Sequence, residues 1–339
     1  MAGTSEQVDI EVDPLFDQPD NDDTNSALGS EAYVSPSPGP PTSSTILEYR
    51  KLHGRTYQNF GGGDNIEYGP NDQTQNEQLD INHHLLTLGL GGKLYLAPIE
   101  KPTKVLDVGT GTGIWAIDFA DEFPDAEATG IDISPIQPSW VPTNCKFIID
   151  DAAKSWTYPD NTFGYIHIRY LTGCFKDWVS VYSEAYRCLK PGGWIEYMDC
   201  AAGVYCDDGS MGAKHIFQDW VGIFKEAGPK MGQTFEVIDG DNYLRWLEKA
   251  GFKNISKKDL KMPVGAWPAD KTLKEIGGMN RASLEMGIEG FGLYVLTNVL
   301  GWKFEEVQAF LTKVRDGLKN RSYHGYCLWG TAWAQKPLE

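Results

Sequence analysis

The sequence predicts an α/β fold with a largely parallel sheet, and three observations support this prediction. Short apolar segments alternate with helix-forming segments between residues 104 and 200. The first apolar segment leads directly into the glycine-rich turn Gly109-Thr-Gly-Thr-Gly113. The next two apolar segments each end in acidic residues, at Asp132 and at Asp150-Asp151. Repeated strand–helix–strand units of this kind give a parallel sheet with right-handed crossovers.

The first predicted strand and its turn form an arrangement that suits a ligand. Val105, Leu106 and Val108 supply the apolar run expected of a parallel strand that is covered on both faces. The alternate glycines of the turn lack Cβ atoms, which lets a ligand approach the backbone closely. A helix predicted from Ile114 to Phe123 then points its free N–H groups into the same space.

The spacing of the turn separates two cofactor classes. A nicotinamide cofactor requires G-x-G-x-x-G/A, whereas the sixth position counted from Gly109 is the large Ile114. Asp107 lies two residues before the turn, where it would repel a pyrophosphate but suit a ligand that carries an ammonium and a sulfonium group. S-adenosylmethionine (SAM) is such a ligand, and the G-x-G-x-G pattern resembles the first motif of class I SAM-dependent methyltransferases. A nicotinamide-dependent oxidoreductase is the weaker interpretation.

The acids after the second and third strands are predicted to bind the rest of the cofactor. Asp132 ends the strand 128–133 and follows Asp107 by 25 residues, close to the roughly 20 residues of a βα unit that carries a ribose-binding carboxylate. A carboxylate can accept hydrogen bonds from both ribose hydroxyls at once. Asp151 ends the predicted third strand, 145–151, and is predicted to accept the adenine amino group.

The remaining elements extend this pattern along the chain. The fourth and fifth strands, 162–169 and 194–200, flank a helix at 179–189. Beyond residue 200 the pattern is mainly helical, with a sixth strand near 252–257 and a last strand at 326–334. That last strand would suit the reversed seventh strand of class I methyltransferases, which gives a Rossmann-like seven-stranded sheet. The helices predicted in this part are 215–227, 243–250, 273–300 and 304–318.

The chain divides into four segments by composition and pattern. Residues 1–44 hold nine acids and no Lys or Arg, so we expect a disordered acidic tail. Residues 45–98 are predicted as a helical segment that covers the cofactor. Residues 99–200 form the predicted SAM-binding α/β core, and residues 201–339 are expected to add cap helices and the last strands of the same domain. The helices predicted in the covering segment are 45–52 and 73–88.

Composition argues against several classes of protein. The net charge of −17 disfavours a nucleic-acid-binding surface, which would need clustered Lys and Arg. The six cysteines show no CxxC pair and no His at ligand spacing, so we expect free thiols, a reducing compartment and no metal site. No secretory signal is visible, and no apolar run approaches the ~20 residues that span a bilayer. We therefore expect a soluble intracellular protein that does not bind membranes.

Several strings around these motifs resemble the LaeA-like methyltransferases of filamentous fungi. The most specific is Ser134-Pro-Ile-Gln-Pro138, and Tyr68-Gly-Pro-Asn-Asp72 and the segment 267–276 also match. The likeness covers about residues 45–339. It also implies a role in secondary metabolism, velvet-type regulatory proteins as partners, and a nuclear or cytoplasmic location. The residues that it implies for SAM binding are Asp107, Gly109, Gly111, Gly113, Asp132 and Asp151.

The acceptor of the methyl group stays open in the sequence. Methyl transfer needs mainly an in-line nucleophile, because positioning supplies much of the rate. His167 and Arg169 share one face of the fourth strand and one of them is expected at the cofactor edge, but no catalytic residue is assigned. Arg169-Tyr-Leu-Thr-Gly173 stands in place of the Asn-Pro-Pro-Tyr type of motif, which leaves small-molecule O- or N-methylation or regulatory protein methylation. The alternative is a regulator that keeps the fold and acts through protein partners.

Overall fold

Seven strands form one mixed sheet in the computed structural model, which describes residues 9–16, 49–59 and 67–339. Two shorter strands form a separate hairpin. The strands are β1 (Arg50–Leu52), β2 (Arg55–Tyr57), β3 (Lys104–Val108), β4 (Glu127–Asp132), β5 (Cys145–Ile149), β6 (Phe163–Arg169), β7 (Leu189–Tyr205), β8 (Lys253–Pro263) and β9 (Tyr326–Gln335). The α-helices are α1 (Gln73–Gly89), α2 (Ile114–Glu122), α3 (Trp178–Cys188), α4 (Ile216–Met231), α5 (Asn242–Lys249), α6 (Lys271–Tyr294) and α7 (Phe304–Lys319).

The strand order of the sheet is β5-β4-β3-β6-β7-β9-β8. β9 runs antiparallel to both β7 and β8, and the other neighbouring pairs are parallel. This arrangement confirms the predicted Rossmann-like seven-stranded sheet with a reversed last strand. The order switches between β3 and β6, because β4 and β5 are added on one side of β3 and the later strands on the other. Ligands of open α/β sheets bind at such a switch point, beyond the carboxyl ends of the strands.

β3 is covered on both faces, as its apolar run predicts. Val105, Leu106 and Val108 are fully buried, and β3 pairs with β4 and β6. Leu106 and Val108 pack in one hydrophobic cluster together with residues of α3 and α5. Val105 packs in another cluster, with Trp115 and Phe119 of α2. The strand that leads into the glycine turn is therefore held rigidly from both sides.

A third hydrophobic cluster joins the helices of the two cap segments. Leu86 of α1, Phe224 of α4, Ile288 of α6 and Leu311 of α7 are buried together in it. α6 continues as one π-helical turn over Val295–Val299, so the single helix predicted over this stretch widens near its end. These helices enclose a space beside the sheet.

The prediction of a helix over 45–52 is wrong for residues 49–52, the part of this stretch that the structure describes. β1 and β2 form an antiparallel hairpin there. His53 and Gly54 join the two strands with left-handed φ values of 46° and 85°, as in a tight hairpin turn. The Arg50 guanidinium also donates to two backbone carbonyls of the following segment, which ties β1 in place. Residues 45–48 lie outside the described residues.

Part of the predicted disordered tail has a defined position. Residues 9–16 lie along the loop 267–269, and two backbone hydrogen bonds of 2.8 and 2.9 Å join the two segments. The Asp13 carboxylate pairs with Lys274. The prediction of disorder is wrong for these residues. Their contacts with the loop 267–269 and with Lys274 offset the conformational entropy that is lost on ordering, and composition alone does not reveal such contacts. The rest of 1–44 lies outside the described residues.

Three general features bear on the expected environment and metal content. No helix within the described ranges is long and apolar enough to cross a membrane. All six cysteines carry free thiols, as predicted. Among the residues that the structure describes, no group of three or more His, Cys, Asp or Glu side chains is arranged to hold a metal ion.

Candidate functional site

A cavity lies at the switch point, beyond the carboxyl ends of β3, β4, β6 and β7. Its volume is about 290 Å³, and the sheet side of its wall includes the glycine turn, Asp132 and Asp199. α1 lines it on one side, and α4, α6 and α7 line it on another. Ligand sites of α/β proteins are concave, partly apolar and placed at this point of the sheet. The cavity is therefore the candidate site.

The three glycines of the turn divide into two roles. All have left-handed φ values, 68° for Gly109, 57° for Gly111 and 82° for Gly113. Gly109 and Gly111 line the cavity, and a Cβ on Gly111 would meet no atom closer than 3.5 Å. Gly113 is the N-cap of α2, and a Cβ there would lie 2.3 Å from Cζ of Phe147. Gly111 thus leaves room for close approach of a ligand, whereas Gly113 is needed for packing between helix and strand.

Asp132 is half-buried at the end of β4 and lines the cavity. One carboxylate oxygen accepts from Gly111 N at 2.8 Å, and the other accepts from Ser134 N at 2.9 Å. Each oxygen keeps a further acceptor position, because a carboxylate offers about four in all. Burial raises the pKa of this carboxyl to about 6. The structure therefore places Asp132, the residue predicted to bind the ribose, directly beside the glycine turn.

Asp107 also lines the cavity, but protein groups already hold its carboxylate. Thr110 Oγ1 donates to one oxygen at 2.5 Å, and His167 Nδ1 lies 2.7 Å from the other. The His167 ring stacks on Trp115 with centroids 3.7 Å apart. Burial lowers the pKa of His167, which favours a neutral imidazole donating to Asp107. Asp107 thus fixes the turn and contributes negative charge to the same wall.

Asp151 is the one predicted site acid that the structure does not bring to the cavity. Its carboxylate accepts from Ala153 N at 3.0 Å and lies 3.4 Å from Lys154 Nζ. It is not among the residues that line the cavity in the described part of the chain. Its adenine-binding role stays a prediction.

A contact between the half-buried Arg169 and the buried His83 in the cavity wall is only partly predicted by the sequence. Arg169 Nη2 lies 2.9 Å from His83 Nδ1, and His83 Nε2 lies 2.9 Å from the Asp118 carboxylate. Both Arg169 and His83 line the cavity. Burial lowers the pKa of Arg169 to about 10, which still leaves the guanidinium charged at neutral pH. The sequence predicts Arg169 or His167 at the cofactor edge, whereas His83 lies in the predicted helix 73–88 with no feature that marks it as a ligand.

A strained loop follows β6 and was not foreseen. Tyr170 has a left-handed φ of 60°, a conformation rarely adopted by a bulky residue. The Asp199 carboxylate accepts from Leu171 N and Thr172 N, both at 2.8 Å, and so holds the loop. Tyr170, Thr172 and Asp199 all line the cavity. The available signal was the acid near the end of the fifth strand.

The side of the wall formed by α4, α6 and α7 is apolar and was not identified from the sequence. In a sequence, side chains at helical spacing that line a cavity look the same as side chains that fill a core. Aromatic lining comes mainly from phenylalanine, and among the eleven tryptophans only Trp115 and Trp220 take part. The lining residues of these three helices are Phe217, Trp220, Phe224, Leu284, Ile288, Phe291, Val314 and Leu318.

The polar side of the cavity fits the groups of SAM. Gly111 offers backbone with no side chain in the way, and Asp132 offers two acceptor oxygens for a ribose diol. The acids Asp107 and Asp132 near the turn complement a positively charged ligand, and the Arg169 guanidinium complements a carboxylate. The charges and hydrogen-bonding groups of this side therefore match an amino-acid nucleoside that carries a positive charge.

Comparisons with known proteins agree with this geometry. The model of the methyltransferase domain family matches residues 82–257, just over half of the chain. Methyltransferase pytC of Aspergillus terreus is 38% identical over 87% of this chain and 90% of its own length. Secondary metabolism regulator LAE1 of Cochliobolus heterostrophus is 32% identical over 85% of this chain and 94% of its own length. Protein-methionine methyltransferase laeA of Emericella nidulans is 29% identical over 86% of this chain and 77% of its own length.

The first two of these relatives each align with more than four fifths of the chain. The strand order, the glycine turn and the matched family agree with one another. The chain therefore belongs to the LaeA-like class I SAM-dependent methyltransferase family of filamentous fungi.

Proposed function

We propose that this chain transfers the methyl group of SAM to an acceptor in fungal secondary metabolism. The observation that carries the proposal is Asp132, a half-buried carboxylate at the switch point that lines the cavity beside the glycine turn and keeps acceptor capacity beyond its backbone contacts. The relatives, a methyltransferase and several secondary metabolism regulators, support the metabolic setting.

In this proposal the chain holds the cofactor by its polar ends. Asp132 accepts hydrogen bonds from the ribose hydroxyls, and the backbone near Gly109 and Gly111 is approached closely. Asp107 faces the ammonium group, since ionised carboxylates favour a nearby cation. Arg169 pairs with the carboxylate of the methionine part, and its position in the wall beside His83 supports that role.

The N-terminal covering segment retains its proposed role, although it begins with a hairpin rather than a helix. The Asp80 carboxylate of α1 accepts from Thr112 Oγ1 of the glycine turn at 2.7 Å. Leu79, Asn82 and His83 of the same helix line the cavity. These contacts support a helix that closes over the turn and keeps water from the reacting groups.

The chemistry requires alignment more than acid–base help. The bound cofactor supplies a methyl group on a positively charged sulfur, so an acceptor with a lone pair needs mainly to lie in line with that bond. The chain contributes the rigid loop after β6, in which Asp199 fixes the backbone next to Tyr170. An acceptor hydroxyl or amine loses its proton to solvent or to a group of the wall.

Arg169→Gln is expected to weaken SAM binding about 10- to 100-fold, because one charge-assisted interaction contributes ~1.5–3 kcal/mol. Decarboxylated SAM lacks the group that Arg169 is proposed to bind, so its affinity should be equal for wild type and variant. Both affinities are measured by titration calorimetry, and thermal unfolding confirms that the variant is folded. Equal weakening for both ligands would contradict the assignment.

SAM binding is expected to weaken as the pH falls below about 6. Burial raises the pKa of Asp132 to about 6, and protonation there places a hydrogen on one of the oxygens that accept from the ribose. The affinity should therefore be flat above pH 7 and fall by up to about tenfold per pH unit between pH 6 and pH 5. Calorimetry from pH 5 to pH 7.5 measures this, and Asp132→Asn is expected to remove the dependence. An equal pH dependence in Asp132→Asn would assign the effect to another group.

The proposed function is tested by following a labelled methyl group. The purified protein is incubated with SAM carrying a radioactive methyl group and with fractionated extract of a filamentous fungus. Time-dependent transfer of label to one component, absent with Asp132→Ala, is the expected result. Absence of transfer in every fraction, together with absence of SAM binding, would overturn the proposal.

A second candidate is a regulator of secondary-metabolite gene clusters, which the similarity to several secondary metabolism regulators favours. In that case the chain acts through velvet-type regulatory proteins in the nucleus rather than by methylating a metabolite in the cytoplasm. Metabolite profiles of a gene-deletion strain separate the two functions. Loss of one methyl group from one compound indicates the enzyme, whereas loss of whole compound families indicates the regulator.

A further inference from the structure

We propose that the methyl acceptor is a neutral, largely hydrocarbon small molecule, bound within the apolar half of the cavity against α4, α6 and α7. This inference rests on the proposed function and narrows it, since the family and the polar site leave small molecules and proteins equally open. We call this half of the cavity, lined by Phe217, Trp220, Phe224, Leu284, Ile288, Phe291, Val314 and Leu318, the acceptor chamber.

The cavity is divided by polarity. Its charged and imidazole side chains come from the strand ends, from α1 and from the segment just before it: Glu67, His83, Asp107, Asp132, His167, Arg169 and Asp199. α4, α6 and α7 contribute eight side chains to the wall, and none of the eight carries a polar group other than the indole N–H of Trp220. The ionic half matches the amino-acid and ribose parts of SAM. The chamber has no ionic group for them and no polar group besides that indole N–H, and so it is available to a second, apolar molecule.

A row of aromatic rings connects the two halves. Tyr68 lies 5.2 Å from Phe235 between ring centroids, Phe235 lies 5.0 Å from Phe224, and Phe224 lies 5.1 Å from Trp220. On another side, the Tyr170 ring meets Phe291 edge-on at 6.3 Å. Aromatic walls of this kind favour ring-containing or unsaturated ligands through edge and face contacts. A molecule bound along the row would extend from the chamber to Tyr68, whose hydroxyl donates to the carbonyl of Thr172 in the loop after β6 at 2.9 Å.

The same wall disfavours a peptide as the occupant. Each residue of a peptide carries a backbone donor and acceptor, and burying these groups without partners is costly. The three helices present side chains without backbone partners, since their own N–H and C=O groups are bonded within the helices. A neutral hydrocarbon skeleton loses no hydrogen bonds on entering the chamber. The chamber therefore distinguishes a small apolar acceptor from a protein acceptor.

The test uses the neutral fluorophore N-phenyl-1-naphthylamine and the full protein saturated with S-adenosylhomocysteine. Leu284→Trp fills the chamber from α6, and Leu338→Trp makes the same change at a site that is 79% exposed. We expect fluorescence enhancement with the wild type, affinity about tenfold weaker in Leu284→Trp, and no change in Leu338→Trp. Leu284→Asn, which adds a polar group with little change in size, should also weaken binding of the fluorophore. This variant replaces Leu284→Trp in the test if Leu284→Trp does not fold.

The outcomes separate this inference from the proposed function. S-adenosylhomocysteine affinity, measured by calorimetry, should be equal in wild type, Leu284→Trp and Leu338→Trp. If the cofactor product binds but the fluorophore does not, or binds equally to Leu284→Trp, the inference is overturned and the proposed function stands. If neither binds, both are overturned. In the labelling experiment, label in the organic-solvent extract supports the inference, and label confined to protein overturns it.

Discussion

Replacing Asp132 by alanine is expected to lower the affinity for SAM at least ~100-fold. Two hydrogen bonds from the ribose to a carboxylate contribute about 1.5–3 kcal/mol each, and both are lost together. The substitution also removes the acceptor of Gly111 N, so the glycine turn loses its link to the end of β4. Titration calorimetry with SAM measures the change, and methyl transfer should fall in parallel at subsaturating cofactor.

Two further variants serve as a control and as a comparison for Asp132→Ala. Asp160 is an exposed acid that pairs with Arg187 away from the cavity, so Asp160→Ala should leave SAM affinity unchanged. Asp151→Ala tests the predicted adenine contact, and we expect a smaller loss than for Asp132→Ala because Asp151 does not line the cavity. Unchanged affinity in Asp132→Ala would show that the ribose is bound elsewhere.

Gly113→Ala is expected to lower the free energy of unfolding by about 2–5 kcal/mol. The left-handed backbone at φ 82° costs a residue with a Cβ roughly 1–2 kcal/mol. The new methyl group would also lie 2.3 Å from Cζ of Phe147, and overpacking of this kind costs about 1–3 kcal/mol. Urea unfolding at equilibrium measures the loss.

Gly209→Ala is the matched control for this loss. Gly209 has a similar φ of 75°, but a Cβ there would meet no atom within 4 Å. It should therefore show only the backbone cost of about 1–2 kcal/mol. The difference between the two variants isolates the contact with Phe147, and Phe147→Leu in the Gly113→Ala background should recover part of it. Equal losses in the two alanine variants would assign the whole effect to the backbone.

The parts of the fold that follow from local pattern were predictable. Val105, Leu106 and Val108 form a continuous apolar run, and such a run specifies a strand buried on both faces wherever it occurs. Asp132 could be placed at the cavity because the spacing of one βα unit fixes where the next strand ends. The reversed last strand, by contrast, was predictable only through the family resemblance, because its direction depends on pairing with strands that are distant in sequence.

The parts that depend on distant partners were not predictable. His83 and Arg169 are 86 positions apart, and nothing near either residue indicates that they meet. The hairpin of β1 and β2 depends on His53 adopting a left-handed conformation, which local helix propensity does not reveal. The apolar chamber likewise arises from three helices whose stripes are all typical of core packing. A residue such as Ile288 becomes a lining residue only because the facing space is left unfilled.

The position of β9 has a consequence for how the protein is made. β9 lies between β7 and β8, yet residues 264–325 separate it in sequence from β8. On the ribosome, β7 and β8 are synthesised well before the strand that joins them, and each then presents an unpaired edge. Contacts of such long sequence separation form slowly. The sheet is therefore completed only after α6 and α7 have emerged, and a nascent chain halted before residue 326 should depend on chaperones to stay soluble.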